Sequence, residues 1–231
     1  MSGKVIAVIP AAGSGRRFGA EINKAFVEIL GKPLIAWALE SFEACGRISE
    51  VIPVIGEPDM ERARQLFDSS GFEKVRRIAK GGRERQDSVQ NALRLVGDRH
   101  QRVLIHDAVR PLVDEALIER CIDSLTDCDG VVPGVPLKDT VKEVQDAVAV
   151  RTLDRSRLVA VQTPQVFVLG TVLGAYESLS AAGDFLFTDD AAAVEAAGGR
   201  IRVVEGNYKN IKITSPEDAL IAEAFLRMGH E

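Results

Sequence analysis

The chain has 231 residues, 46% of them apolar and 27% charged, which suits one sizeable core and one α/β domain over residues 1–231 better than two independent domains. A net charge of −5 argues against general binding to nucleic acid or to membrane surfaces, yet leaves room for a local basic pocket that holds a polyphosphate. The three cysteines, Cys45, Cys121 and Cys128, have neither the density of a disulfide framework nor the close pairs of a zinc site. The apolar run before Pro10 is too short for a signal peptide or a membrane span, so a cytoplasmic protein is expected.

Taken in chain order, short β-branched runs alternate with helix-period segments. Val5–Ile9 reads as a buried strand, followed by a glycine-rich loop and a helix opened by Pro33. That helix carries Leu34, Trp37, Ala38, Phe42 and Cys45 on one face, and Gly46 closes it. Val51–Ile55 and Lys74–Ile78 read as strands, and Gly81-Gly82 as a turn before a helix with Val89, Ala92, Leu93 and Val96 inward. Arg102–His106 is a strand, Asp114 starts a helix facing inward through Leu117, Ile118, Cys121, Ile122 and Leu125, and Val131–Val135 is a further strand. Leu158–Gln162 and Arg200–Val204 complete the strands, with Thr188 expected to cap a helix over Asp189–Ala197 that Gly198 ends. Ser215 is expected to cap the last helix, whose apolar stripe is Leu220, Ile221, Ala224, Phe225 and Met228. Nearly continuous apolar strands alternating with helices predict a doubly wound, mostly parallel α/β sheet, with ligands at the carboxyl ends of the strands.

One stretch breaks the alternation. Leu137 to Thr152 reads as two polar, β-rich strands, Asp139–Val144 and Val148–Thr152, around a Gln145-Asp146-Ala147 turn. It is the core of a protruding arm spanning 137–155. An isolated two-stranded ribbon is marginal in water, so this arm is expected to lean on a second subunit of a homodimer.

The strongest chemical signal follows the first strand: Pro10-Ala11-Ala12-Gly13-Ser14-Gly15-Arg16-Arg17-Phe18-Gly19, then Asn23-Lys24. Small residues let the backbone approach closely and aim successive N–H groups at an anion, while the arginines and Lys24 add full positive charges suited to a triphosphate. A P-loop would need Gly-Lys-Ser/Thr after four spacers, and that is absent. In a dinucleotide fingerprint the third glycine would come one residue earlier and a long helix would follow at once.

The pattern Ala11-Ala12-Gly13-x-Gly15-x-Arg17, with Lys24 and Gly31-Lys32-Pro33, resembles the sugar-nucleotide pyrophosphorylase-like nucleotidyltransferase superfamily. Its later motifs are most similar to the 2-C-methyl-D-erythritol 4-phosphate cytidylyltransferase family of non-mevalonate isoprenoid synthesis. They are Gly81-Gly82-x-Glu84-Arg85-x-Asp87-Ser88-Val89, His106-Asp107-Ala108-x-Arg110-Pro111, Lys138-Asp139-Thr140, Thr163-Pro164-Gln165, Thr188-Asp189-Asp190 and Asn210-Ile211-Lys212. One departure is Asn23, where many members have proline, a change expected to cost some loop rigidity.

The resemblance implies a CTP-dependent cytidylyltransferase that uses Mg²⁺. It implies that Ala11, Ala12, Gly13, Ser14 and Gly15 wrap the triphosphate, and that Arg17, Lys24 and Lys212 serve catalysis. It places Gly81, Gly82 and Ser88 at the cytosine and Asp107 and Ala108 near the nucleotide, with Asp107 the carboxylate nearest the metal, directly or through water. Arg110, Thr140, Arg155 and Thr188 fall to the alcohol phosphate, and the arm, exchanged within a homodimer, would bring Thr140 and Arg155 to the partner's site. Each also has a plainer reading: Lys212 as a solvated strand residue on an alternating Asn210–Ile213 stretch, Gly81-Gly82 as a turn, Asp107 as a turn cap, Thr188 as a helix cap, Arg155 as a surface charge. His106, with no second histidine or cysteine at ligand spacing, reads as a satisfied structural residue. Ribitol 5-phosphate as the acceptor is the nearest alternative, and a dinucleotide-dependent oxidoreductase or a non-catalytic nucleotide sensor are the alternatives of other classes.

Overall fold

The computed structural model describes residues 5–13, 23–98, 101–182 and 187–228. The chain opens with β1 (Val5–Pro10), a small antiparallel pair, β2 (Glu28–Ile29) and β3 (Lys32–Pro33), and α1 (Leu34–Ala44). The alternation continues through β4 (Ile48–Ile55), α2 (Met60–Ser70), β5 (Ala79–Lys80), α3 (Arg85–Leu93), β6 (Arg102–Ile105), α4 (Glu115–Asp123) and β7 (Gly130–Pro136). After the ribbon β8 (Lys142–Gln145) and β9 (Val148–Thr152) come β10 (Val159–Val161), β11 (Gln165–Val168), α5 (Leu169–Ala182), α6 (Asp190–Ala196), β12 (Ile201–Glu205) and α7 (Pro216–Met228).

β5, β4, β1 and β6 lie side by side and parallel. β11 inserts antiparallel between β6 and β7, β10 pairs antiparallel with the far end of β7, and β12 runs parallel to β7. The sheet is thus mixed and mostly parallel, as expected. Its two faces are separated by strand alternation. Ala7, Ile9 and Leu104 join the side chains of α1, α2 and α4 on one face, while Val8, Val103 and Ile105 join those of α3, α5 and α6 on the other. The chain runs from β1 outward to β4 and β5 and then returns to β6 on the other side of β1. That reversal opens a crevice at the carboxyl ends of these strands, where α/β folds place ligands.

The structure corrects the sequence reading at several elements. The strand expected at Lys74–Ile78 reduces to a single bridge, Val51 to Val75, and the strand proper lies at Ala79–Lys80. Arg77 is turned outward to Glu50 (2.7 Å) and the Leu95 carbonyl (2.6 Å), so the charged segment borders the sheet instead of entering it. β11 was not anticipated; four residues behind the Thr163–Pro164 cis peptide are enough because Val166 and Phe167 are fully buried between β6 and β7. Thr188 does not cap α6: Asp189 does, accepting from the Ala192 N–H, and its other oxygen accepts from Gln165 at 2.7 Å. Residues 210–213 form no strand. In α7 the expected inward stripe is largely outward, with Leu220 69% and Met228 65% exposed. Its packing against Ile29, Leu34 and Ile213 goes through Ala222 and Leu226, because the helix lies on the flank of the molecule with one narrow contact.

The ribbon forms a sheet of its own, and all residues of both its strands are exposed. It closes through a tight turn with Asp146 and Ala147 at φ of 50° and 63°, the conformation that matches the twist of a two-residue hairpin. Its base is fastened to the body by the Tyr208 hydroxyl on the Pro136 carbonyl (2.8 Å), by Lys138 over the Tyr208 ring and by Arg155 on the Lys138 carbonyl.

Candidate active site

The parallel strands end at one rim, and the loops leaving them interlock. The Ala11 N–H donates to Val54 O, Gly81 N–H to Ile55 O, and Ala108 N–H to Pro10 O. Gly81 is required by this closeness, since a Cβ there would fall 2.4 Å from that of Ala12. Ser14, Gly15 and Arg17 lie outside the described residues. The loop's return is anchored by Asn23, which is buried, donates to Ala11 O (2.7 Å) and Asp59 (2.8 Å), and accepts from Ala25 N–H (3.1 Å). The expected loss of rigidity at this position is therefore offset: Asn23 ties the two ends of the loop together, which proline cannot do. It delivers Lys24 to a cleft of about 520 Å³, with the ammonium 3.5 Å from Thr214 O.

Ala11, Ala12, Gly13, Gly82, Ser88, Asp107 and Lys212 share that cleft, while Ala108 is buried just behind it. The turn before α3 is held from within. Glu84 N–H donates to Asp87 (3.0 Å), and the Ser88 hydroxyl accepts from Gly82 N–H (2.9 Å) while donating to Glu84 O (3.1 Å). Gly82 sits so close to α3 that a Cβ would lie 2.3 Å from that of Asp87.

Asp107, the second residue beyond β6, is the electrostatic centre. Lys212 lies 2.8 Å from one carboxylate oxygen, Arg85 3.4 Å from the other, and Arg110 3.8 Å from the first. Burial alone would raise its pKa, but these cations outweigh burial and hold it well below the usual carboxylate range. Lys212, 43% exposed at its side chain, is the most exposed of the three cations around Asp107. Its backbone is set by Ile213 N–H on Val109 O, by buried Asn210 on Thr163 O (2.7 Å), and by Arg110 on Asn210 O (2.8 Å). His106 is structural, as expected. Its ring lies 3.0 Å from the Thr163 hydroxyl and 3.1 Å from Arg110 O, and the Asp107 N–H donates to that same hydroxyl. This arrangement assigns Nε2–H to Arg110 O and leaves Nδ1 as acceptor. Complete burial draws its pKa down to about 4, so the ring is neutral at pH 7.

A second cleft of about 240 Å³ opens beside the first and is lined by Arg110, Thr163, Gln165, Thr188 and Asp189. Arg85, Asp107 and Lys212 line both clefts and form the wall where they meet. Thr140 and Arg155 line neither; they lie at the exposed base of the ribbon. The acidic start of α6 is internally compensated: fully buried Asp190 takes a two-pronged pair from Arg85 at 3.0 and 2.7 Å and a hydrogen bond from Tyr176 at 2.6 Å. Arg85, Gln165 and Asp190 stand within the sequence motifs without this role, and Tyr176 stands in none of them. The signal available for it was a tyrosine placed between the apolar residues Leu173 and Leu179 of α5. For a divalent cation, Asp107 offers ionised oxygen chemistry at the mouth of both clefts, which fits a hard ion bound by one carboxylate and substrate phosphates.

The family model described as 2-C-methyl-D-erythritol 4-phosphate cytidylyltransferase matches residues 5–228. A relative of that name from Geotalea uraniireducens is 43% identical over 227 residues, covering 97% of both chains. Another, from Geobacter metallireducens, is 43% identical over 227 residues, covering 96% of this chain and 97% of that one. Among solved structures, the 4-diphosphocytidyl-2C-methyl-D-erythritol synthase of Anaerococcus prevotii superposes with a TM-score of 0.85 at 29% identity, covering 98% and 97% of the two chains.

Proposed function

Because the chain belongs to the 2-C-methyl-D-erythritol 4-phosphate cytidylyltransferase family, we propose that it joins CTP and 2-C-methyl-D-erythritol 4-phosphate, releasing pyrophosphate and 4-CDP-2-C-methyl-D-erythritol. The observation that carries this reading is the meeting of two clefts at Asp107 and Lys212: one suits a nucleotide, the other a small phosphorylated alcohol. Ribitol 5-phosphate is not favoured as the acceptor, since the matching family and relatives carry the methylerythritol name.

A phosphate oxygen of the alcohol phosphate attacks the α-phosphorus of CTP. The new P–O bond forms as the bond to the β-phosphate bridging oxygen breaks, and its electrons leave with pyrophosphate. The attacking monoester is already largely dianionic near neutral pH, so no protein base is needed. The obstacle is repulsion between two polyanions, and the chain's answer is fixed positive charge. Lys24 reaches the nucleotide cleft from the short turn Lys24–Phe26, and Arg17 is proposed to join it at the triphosphate. Lys212, partly exposed and on the shared wall, turns from Asp107 to the reacting phosphates, while buried Arg110 keeps its place beside the acceptor. Gly82 and Ser88 are proposed to face the base. Magnesium, when bound, neutralises charge on the phosphates, and Asp107 would hold it.

The ribbon is proposed to be the arm of a homodimer. Val144, Val148 and Val150 on it, and Val159 and Val161 beside it, are exposed apolar side chains that a partner would cover. Thr140 and Arg155 would then serve the partner's acceptor cleft, as Thr188 serves its own. We place the reaction in the cytoplasm, in keeping with three unpaired cysteines. The test is pyrophosphate release with CTP, Mg²⁺ and each alcohol phosphate in turn. Methylerythritol 4-phosphate should far exceed ribitol 5-phosphate in kcat/KM, and equal values would overturn the assignment.

A further inference from the structure

We infer that Arg85 is a positioning residue that ties Asp107 to the acceptor-side wall through Asp190. The inference rests on the function proposed above and assigns a role to a side chain that the reaction does not otherwise use.

Three observations carry it. First, Arg85 is one of three residues on the wall shared by the two clefts, the others being Asp107 and Lys212. Second, its donors are committed to protein carboxylates. Nη1 and Nη2 make the bidentate pair with Asp190, and Nη2 also lies 3.4 Å from Asp107. A guanidinium already facing two carboxylates has little charge left for a phosphate, so Arg85 acts through its partners and not on substrate. Third, those partners belong to different parts of the site. Asp107 lies in the loop that follows β6, whereas Asp190 begins α6 directly after Thr188 and Asp189, which line the acceptor cleft.

The far side of the pair is equally firm. Asp190 is fully buried, and its second partner, Tyr176, is buried on α5 with its ring edge-on to Phe187. A buried carboxylate that lost Arg85 would be left without its charge partner and would shift, and the Thr188–Asp189 wall would move with it. The nucleotide turn stands differently. Its capping box and the Ser88 bonds to Gly82 and Glu84 use no atom of the Arg85 side chain. Removing the guanidinium therefore disturbs the acceptor cleft and Asp107 while leaving the turn that faces the nucleotide in place.

The prediction is a split between the two substrates. Arg85→Lys keeps a positive charge but cannot bridge two carboxylates in a plane. It should raise the acceptor KM about tenfold or more and lower kcat by roughly ten- to a hundredfold, with the CTP KM changed by less than about threefold. Tyr176→Phe touches neither cleft and removes only one bond to Asp190. It should raise the acceptor KM by about two- to fivefold, again with CTP KM unchanged. Thermal melts establish that each variant is folded at the assay temperature. Unchanged kinetics in folded Arg85→Lys would overturn the inference, as would a CTP KM that rises in step with the acceptor KM. If Arg85→Lys does not fold, Tyr176→Phe decides alone, and an unchanged acceptor KM overturns it. Wild-type protein is the control: no turnover there would overturn the proposed function itself, whereas normal turnover beside an indifferent Arg85→Lys would overturn this inference only.

Discussion

The rim of the main sheet and the β8–β9 ribbon solve opposite problems. At the rim, the two buried carboxylates are answered within the chain: Asp107 by Lys212, Arg85 and Arg110, and Asp190 by Arg85 and Tyr176. On the ribbon, apolar groups are exposed and unanswered, with Val148 67% exposed and Val144 58%. Buried charge without a partner costs several kcal/mol, so the rim must be complete in one chain to fold at all. An exposed valine costs far less, so the ribbon can persist until something covers it. What a single chain lacks therefore shows in its uncovered apolar surface, since the buried carboxylates of the rim already have partners within it.

Experiments can break that comparison or sharpen it. The largest effect is expected from deleting residues 139–152, which should abolish activity although the nucleotide cleft is untouched. The deleted protein should sediment as a monomer or an aggregate, and a fully active monomeric wild type would remove the arm from the site. In the same spirit, mixing inactive Arg155→Ala with inactive Lys24→Ala should restore part of the activity, because one site of a mixed dimer retains both residues. Subunits that exchange without regaining activity would refute the shared site.

Next in size are the rim cations. Lys24→Ala and Lys212→Ala should each lower kcat by about a hundredfold, as for loss of a transition-state charge donor, with little change in melting temperature. Near-normal kcat would return that lysine to the solvated surface.

Smaller effects are expected in stability. His106 is neutral when folded, its pKa drawn down to about 4 by burial, against about 6.5 in the unfolded chain. The unfolded state takes up the proton first, so stability falls as pH drops from about 6.5 toward 4, by at most about 3 kcal/mol. Denaturant melts of metal-free protein across that range should show a shallower slope in His106→Gln, and identical slopes would place the titration elsewhere. The Asp107 pKa is depressed, so its contribution is lost only below the ordinary carboxylate range, which separates the two windows. The smallest change is expected for Asn23→Ala, which deletes the bonds to Ala11 O and Asp59 and should cost about 1–2 kcal/mol by the same melts. No loss would mean that those bonds do not anchor the loop.

Much of this molecule was legible in the sequence. Strand periodicity placed β1, β4, β6 and β7 within a few residues, because a strand covered on both faces must be apolar almost throughout. The small residues Ala11, Ala12 and Gly13 announced close backbone approach, and Gly81-Gly82 announced a turn, since small side chains permit both. The ribbon was legible as strands lacking a core of their own.

Other features depended on distance. Nothing local distinguishes α7's exposed Leu220 from its buried Leu226, because which face packs is set by the narrow cluster of Ile29, Leu34 and Ile213 beneath it. β11 was too short and too close to Pro164 to stand out until β6 and β7 closed on both its edges. Asn23 read as a weakened proline position, and only the approach of Ala11 and Asp59 made it an anchor. Arg85, Tyr176 and Asp190 lie up to 105 positions apart in the chain and form one hydrogen-bonded group only when α3, α5 and α6 share a face of the sheet. Periodicity and motifs are properties of neighbours along the chain, so they were enough for β1, β4, β6 and β7 and for the family. Pairing of buried charges is a property of neighbours in space, and that the tertiary structure alone decided.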